Sequence, residues 1–164
     1  MPLIKWDDVI KEALEMFLHS TNYAYFYGAK GVILTDITMN YLWNAEPAYF
    51  SKYDEAMKKR IFNYSRGKIG FDCSGFVGRL VKDMTWSGGI WEHCYDKKTN
   101  LYLGDAGSIV YKPGHIGIDI GYGYYLHMPS ELHSVELGRF LENTVDWRGC
   151  GKHDNVDYTG ANNR

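Results

Sequence analysis

The hydrophobic periodicity of the chain changes from helical to alternating near residue 115. Apolar residues recur at helical spacing over residues 5–19 and again over residues 76–84. From His115 onward, apolar and polar positions alternate through two short runs separated by a glycine turn at 121–123, a pattern typical of a β-hairpin. Helices followed by antiparallel strands predict an α+β fold, with N-terminal helices and a central helix packed on an antiparallel β-sheet.

Length and charge narrow the class of protein. The 164 residues suffice for one domain with a hydrophobic core. The formal net charge is −2, and without a basic excess to bind a phosphate backbone we expect no nucleic-acid partner. The longest apolar runs fall far below the ~18 residues that cross a bilayer, so no membrane span is predicted. The first sixteen residues mix charges into their apolar positions, and we therefore expect no signal peptide in this chain.

The chain is expected to form one domain over residues 1–150, followed by a tail. Residues 32–70 are predicted to be helical in pieces, with Pro47 ending the first piece. Residues 151–164 are polar, and we expect them to fray as a C-terminal tail.

The number of cysteines is odd. With three cysteines, at least one thiol stays free. A disulfide between Cys94 and Cys150 is one use for the other two. A zinc ion bound by these two thiols with His93 and His153 is an alternative, but neighbouring His93 and Cys94 point in different directions in most conformations, and the spacing does not match a paired zinc motif. We therefore predict no metal site.

Cys73 stands at the start of the central helix. Phe76, Val77, Leu80 and Val81 form one apolar face of this helix, and Asp72 is placed to cap it. Unpaired N–H groups at a helix N-terminus favour a thiolate and lower the pKa of a thiol there. The same groups can stabilise the oxyanion of an acyl-transfer intermediate. Cys73 is thus either a nucleophile or a small buried hydrophobic residue.

Two histidines lie almost opposite each other on the predicted hairpin. His115 begins the first strand and His127 ends the second, and side chains at paired positions point to one face of the sheet. A histidine beside a thiol can act as its general base, and a second polar group can fix the tautomer of that histidine.

Aromatic residues are abundant, at 16% of the chain with 14 tyrosines. The hydrophobic core of a domain of this size needs fewer aromatic residues. Rigid aromatic side chains suit the walls of a groove that binds a peptide or a sugar.

Four segments of the chain resemble, in order, the motifs of the NlpC/P60 cysteine peptidases, which cleave peptidoglycan stem peptides. One resembles the upstream tyrosine motif, one the nucleophile motif, one the strand with the basic histidine, and one the strand with the residue that orients it. In this order the segments are Ala24–Gly28, Phe71–Val77, His115–Gly121 and Tyr124–His127.

The resemblance implies a papain-like NlpC/P60 fold and a role for each matching residue. Cys73 would be the nucleophile, His115 the base and His127 the orienting group. Tyr25, Asp72 and Ser74 match positions that help to bind the stem peptide, although Asp72 is equally compatible with a plain helix cap. A carboxylate at that position could hold a free amine of the substrate.

The activity implied by the resemblance is hydrolysis of an amide bond in a peptidoglycan stem peptide or muropeptide, without metal or cofactor. An acyltransferase using the same thioester and a non-catalytic module that binds cell walls or belongs to a phage tail are the alternatives. In many members the tyrosine motif lies shortly before the cysteine, whereas here residues 32–70 intervene as a helical insertion. The protein would act on the cell wall, and its route to the wall stays open.

Overall fold

The structure is a computed structural model and describes residues 2–162. Its helices are α1 (Trp6–Leu18), α2 (Asp36–Ala45), α3 (Pro47–Phe50), α4 (Glu55–Ser65), α5 (Cys73–Val81) and α6 (Ser87–Glu92). Its strands are β1 (Ile4–Lys5), β2 (Tyr23–Tyr25), β3 (Lys30–Ile33), β4 (Ile69–Phe71), β5 (Cys94–Lys98), β6 (Ile109–Lys112), β7 (His115–Gly121), β8 (Tyr124–His127), β9 (Glu136–Arg139), β10 (Gly149–His153) and β11 (Val156–Asp157). None of the described helices has the length and hydrophobicity that a bilayer crossing needs.

An antiparallel sheet forms the centre of the molecule. Its strand order is β5–β10–β6–β7–β8–β9, and each neighbouring pair is antiparallel. The predicted hairpin is confirmed as β7 and β8, with Ile118 paired to Leu126. The helices α1 to α4 precede this sheet in the chain, so the predicted α+β class is confirmed.

The alternation along β7 separates two layers of core. Ile116 and Ile118 face α5, where they pack with Phe76, Val77 and Leu80 of that helix. Because successive side chains of a strand point to opposite faces, the intervening residue Gly117 faces the other side of the sheet, where a Cβ on it would lie 3.0 Å from Trp147. That side is covered by a second apolar cluster that includes Val110, Tyr125, Phe140, Trp147 and Cys150.

A small sheet places the tyrosine motif beside the nucleophile motif. Strand β2 runs parallel to β4, with Tyr25 paired to Phe71, two residues before Cys73. Strand β3 joins the other edge of β4. Close approach of the β2–β3 turn to α5 requires a glycine at position 75, because a Cβ there would lie 2.7 Å from the carbonyl oxygen of Ala29.

Most of the stretch of residues 32–70 folds into α2, α3 and α4, as its pattern predicted, whereas its two ends belong to β3 and β4. Thr35 caps α2 by accepting a hydrogen bond from the N–H of Thr38, and Asp54 caps α4 in the same way. Pro47 is the first residue of α3, where a missing N–H costs no hydrogen bond. The aromatic rings of this region pack around Phe26 and Phe50 in a cluster of their own.

The expected polar tail is wrong for residues 151–162. Strand β10 lies inside the main sheet between β5 and β6, and β11 pairs in parallel with β1 near the N-terminus. His153 and Val156 are buried. The prediction failed because the apolar content of this segment is low: its buried positions are filled by glycine and by a hydrogen-bonded histidine, which sequence patterns score as polar.

Candidate active site

Cys73 is the first residue of α5, and its side chain is buried. Asp72 caps the helix, with its Oδ1 accepting a hydrogen bond of 2.6 Å from the N–H of Gly75. Burial and the neighbouring Asp72 carboxylate raise the pKa of Cys73 to about 11, although the backbone N–H groups of Ile116 and Ser74 favour the thiolate. The N–H of Ser74 at the helix N-terminus lowers this pKa, as expected, but desolvation raises it by more.

His115 and His127 form a hydrogen-bonded pair beside Trp147. His115 Nε2 lies 2.8 Å from His127 Nδ1. Trp147 stacks on the His115 ring, with centroids 5.2 Å apart and planes 13° apart. Burial lowers the pKa of His115 to about 4 and that of His127 to about 3, and the charge of Lys112 acts in the same direction. Both rings are therefore neutral near pH 7.

The neutral pair has a defined set of donors and acceptors. One ring must donate its proton to the other, because two neutral imidazoles facing each other share one N–H. When His115 Nε2 donates to His127 Nδ1, the Nδ1 atom of His115 carries a free lone pair and can accept a proton. The pair thus provides one base whose orientation is held by the second ring.

The structure brings the thiol to the strand that carries His115. The backbone of Ile116, the next residue along β7, donates its N–H toward the Cys73 sulfur. Tyr25, His115 and His127 line a common cleft of about 420 Å³, in which the charge of Cys73 also acts on the Tyr25 hydroxyl. Tyr25, His115 and His127 are therefore neighbours in the fold, and the thiol lies against the backbone of the residue that follows His115.

Asp72 and Ser74, predicted to bind substrate, are both bonded to a lysine of the chain itself. The ammonium of Lys30 lies 2.7 Å from Asp72 Oδ1 and 2.6 Å from Ser74 Oγ. The Ser74 hydroxyl donates in turn to Asp72 Oδ1 at 3.2 Å, and the N–H of Gly28 donates to Oδ2. Asp72 is therefore the helix cap and one half of an ion pair. Sequence spacing gave no indication of Lys30, which is 42 residues from Asp72.

A buried carboxylate that the sequence did not reveal anchors the tyrosine wall of the cleft. Glu131 Oε1 accepts hydrogen bonds from the hydroxyls of Tyr49 at 2.6 Å and Tyr53 at 2.8 Å, and Oε2 accepts from the N–H of Tyr27. Desolvation and this carboxylate raise the pKa of Tyr49, which is also hydrogen-bonded to Tyr25. The predicted insertion thus contributes part of the site. No sequence pattern distinguishes this glutamate from an exposed one.

The thiols of Cys94 and Cys150 form neither the disulfide nor the zinc site that the sequence allowed. Both are free and buried, and they belong to different apolar clusters, with Cys94 on the α5 side of the sheet and Cys150 on the other. They lie at opposite ends of the neighbouring strands β5 and β10, where Cys150 pairs with Lys98 and Cys94 pairs with His153.

Asp83 joins the two histidines of the discarded zinc set. Its Oδ2 lies 2.7 Å from His93 Nδ1 and 2.8 Å from His153 Nε2, and the ligand atoms of the three residues lie within 4.8 Å of one another. However, His153 Nδ1 accepts a hydrogen bond from the N–H of Asn155, so the ring proton sits on Nε2 and points at Asp83. The Nε2 atom then has no lone pair for a metal ion, and the cluster works as a hydrogen-bonded link.

Comparison with known proteins finds its matches among solved structures. No protein-family model matches the chain, and no curated protein matches its sequence. Two structures of the resuscitation promoting factor interacting protein RipA, one mutated at a cysteine and one at a histidine, superpose with TM-scores of 0.55 and 0.53. In both cases the sequence identity is 14%, and the match covers 93% of this chain and 70% of the RipA chain.

This similarity establishes the fold. The chain has the papain-like fold of the NlpC/P60 kind that its motifs predicted, with the helix that begins at Cys73 packed against the antiparallel sheet. RipA is a structural neighbour over 93% of this chain.

Proposed function

We propose that the protein is a cysteine endopeptidase that hydrolyses amide bonds in peptidoglycan stem peptides. The observation that carries the proposal is the hydrogen bond of 2.8 Å between His115 and His127. Next to His115 on β7 lies Ile116, whose N–H points at the Cys73 sulfur. The fold shared with RipA supports a cell-wall hydrolase. The two RipA structures carry mutations at a cysteine and at a histidine, which are the residue types of the proposed pair.

Acylation begins from a neutral thiol and a neutral imidazole. The Cys73 sulfur attacks the carbonyl carbon of the scissile amide while its proton moves to His115 Nδ1. The resulting imidazolium is stabilised because its Nε2–H keeps its hydrogen bond to His127 Nδ1. His115 then gives the proton to the amide nitrogen, the C–N bond breaks, and the amine leaves the acyl group on Cys73 as a thioester.

Deacylation uses the same base. His115 Nδ1 takes a proton from a water molecule, whose oxygen attacks the thioester carbon. The C–S bond breaks, the proton returns to the sulfur, and the carboxylic acid leaves. Each cycle therefore consumes one water and regenerates the thiol with no other reactant.

The start of α5 offers hydrogen-bond donors for the oxyanion of both tetrahedral intermediates. The N–H of Cys73, as the first helical residue, has no acceptor within the helix. A donor at that position is attached to the nucleophile itself and lies close to the carbonyl oxygen that becomes charged.

The test is mass spectrometry of purified muropeptides incubated with the protein. We expect fragments with the mass of one added water, and no fragments with the Cys73→Ala variant. Cys94→Ala is a matched control, because Cys94 is equally buried but lies under α6, and it should cleave at the native rate. Cleavage by Cys73→Ala would refute the mechanism, and products that join two peptides would identify the acyltransferase instead.

A further inference from the structure

We infer that Glu131 is a positioning residue that fixes the width of the cleft by joining the two parts of the chain that form it. The inference rests on the proposed function and concerns the same site, because a substrate would lie in this cleft beside His115. It follows from the place of Glu131 in the chain, from the groups that it binds and from the turn that carries it.

The cleft lies between two parts of the chain. Tyr27 and Tyr49 line it from the β2–α3 part, with ring centroids 3.8 Å apart and planes 10° apart. His115, His127 and Ser130 line it from the hairpin and the loop that follows. The space open to a substrate therefore depends on where the helical insertion sits relative to the hairpin.

Glu131 belongs to the hairpin part but is bonded to the other part. It stands four residues after His127, in the loop that follows β8. Its Oε1 accepts hydrogen bonds from the hydroxyls of Tyr49 at 2.6 Å and Tyr53 at 2.8 Å, and its Oε2 accepts one from the N–H of Tyr27 at 3.1 Å. One carboxylate thus ties α3, the α3–α4 turn and the β2–β3 turn to the loop after the hairpin.

The donors that bind Glu131 are all neutral. Its side chain is only 5% exposed, and within the described residues no lysine, arginine or histidine forms an ion pair with it. Apolar side chains of similar size often replace buried charges with no loss of stability. What this carboxylate adds is a set of directional hydrogen bonds, which fix the positions of the rings that line the cleft.

The turn that carries Glu131 has a strained backbone. The next residue, Leu132, has a φ of 69°, in the left-handed region that a bulky side chain rarely adopts. Such a conformation persists only where the surrounding structure enforces it, and it is frequent at functional sites. Leu132 packs against the aromatic cluster of the insertion. The turn therefore places Leu132 on that cluster and the carboxylate of Glu131 on the hydroxyls of Tyr49 and Tyr53.

The first experiment separates binding from catalysis in variants of Glu131. Glu131→Leu removes every acceptor, and we expect the KM for a muropeptide to rise about tenfold while kcat stays within about threefold of native. Glu131→Gln keeps one acceptor oxygen and should rescue part of the loss, with a KM about threefold above native. A purely structural role would lower the urea midpoint of unfolding and leave the KM of the folded protein unchanged.

Tyrosine variants test whether Glu131 acts through the wall of the cleft. Tyr49→Phe keeps the ring but loses the bond to Glu131, and it should raise KM about threefold. In the Glu131→Leu background the same substitution should leave KM nearly unchanged, because the bond is already absent. Tyr64→Phe is the matched control and should keep the native KM, since Tyr64 packs against the same aromatic cluster but is not among the described donors to Glu131.

A second experiment measures the width of the cleft without turnover. Cys73 is alkylated with iodoacetamide and with a bulky maleimide, and peptide mass spectrometry follows the labelling of this residue. We expect Glu131→Leu to raise the rate of the bulky reagent relative to that of iodoacetamide, because the insertion is no longer held against the hairpin. Tyr64→Phe should leave this ratio at the native value.

An unchanged KM together with an unchanged ratio of alkylation rates in Glu131→Leu would overturn the inference and leave the peptidase intact. A lower kcat at constant KM would overturn it as well. If Glu131→Leu does not fold, Tyr49→Phe decides by the same two measurements, since it removes the bond from the other side. Absence of cleavage by the native protein would refute the proposed function, and the alkylation rates would then decide the inference by themselves.

Discussion

Two pairs of histidines in this protein are hydrogen-bonded in opposite ways. His115 contacts His127 directly, and burial lowers the pKa of both rings. His93 and His153 instead meet through Asp83, and the hydrogen bond to this carboxylate raises the pKa of His93. The difference shows that the partner and the solvent exposure of an imidazole, rather than the presence of a second histidine, decide whether it works as a base or as a cation.

The largest effect is expected from replacing His115, the proposed base. His115→Gln keeps a hydrogen-bond donor toward His127 but cannot accept the thiol proton, and we expect kcat to fall about 10³-fold. His93→Gln, in the other pair, should leave kcat within about twofold of the native value. Both rates are measured with one muropeptide, and circular dichroism checks that each variant is folded. A kcat of His115→Gln within tenfold of native would contradict the assignment of the base.

Replacing the orienting ring should have a smaller effect on activity. His127→Leu removes the acceptor from His115 Nε2, and we expect kcat to fall about 10²-fold. His127→Asn places an amide oxygen where Nδ1 stands, so it should recover at least a tenth of the native kcat. Equal rates for the two variants would show that His127 acts by packing and not by accepting a hydrogen bond.

Asp83, whose carboxylate links His93 to His153, should matter for stability and not for catalysis. Asp83 is buried and accepts hydrogen bonds from His93, His153 and Thr85. Asp83→Asn puts amide protons against these donors, and we expect a loss of about 2 kcal/mol in the free energy of unfolding in urea. Asp96→Asn, which loses exposed ion pairs with Lys98 and Lys152, should leave the free energy of unfolding nearly unchanged. Similar losses of unfolding free energy for the two variants would contradict a stabilising role of the hydrogen bonds to Asp83.

The two pairs should respond to pH in opposite directions. The folded pKa of His115 lies near 4, below its ordinary 6.5, so the unfolded chain binds more protons and stability falls as pH drops from 6.5 to about 4. The raised pKa of His93 adds stability that is fully present below 6.5 and is lost as pH rises through the raised value.

Urea unfolding between pH 4 and 8 separates these contributions. Relative to the native protein, His115→Gln should lose less stability on acidification from pH 6.5 to 4, and His93→Gln should lose less stability as pH rises from 6.5 to 8. Below pH 4 a further loss is expected as Asp83 protonates: burial opposes its charge, but hydrogen bonds from His93, Thr85 and His153 hold its pKa at about 2, below the ordinary 3.8. If the free energy of unfolding depended on pH in the same way for both histidine variants, the two histidine pairs would not differ as we expect.

Local patterns predicted the elements that carry the candidate catalytic residues. Residues 115–127 alternate about a glycine turn, and this alone places His115 and His127 near each other. Asp72 precedes an apolar helix as a capping residue should, and it does cap α5. These features depend on neighbours in sequence, so the sequence suffices to predict them.

Contacts between distant residues escaped prediction. The bond of Lys30 to Asp72 spans 42 residues, and the bonds of Glu131 to Tyr49 and Tyr53 span about twice that. A lysine or a glutamate is ordinarily exposed, and its sequence neighbours do not reveal that a remote partner compensates its burial. The strand at 149–153 was missed for the same reason, because its buried His153 is satisfied by Asp83.

The sequence by itself determined which elements form, where the thiol and the two imidazoles lie along them, and which family's motifs they resemble. The tertiary structure decided the protonation of these groups and the charge of the cleft around them. Burial raises the pKa of Cys73 and lowers that of His115, and it brings Lys30 onto Asp72. The reason is that hydrophobic periodicity is a property of adjacent residues, whereas desolvation and Coulomb interaction depend on everything that the fold packs nearby.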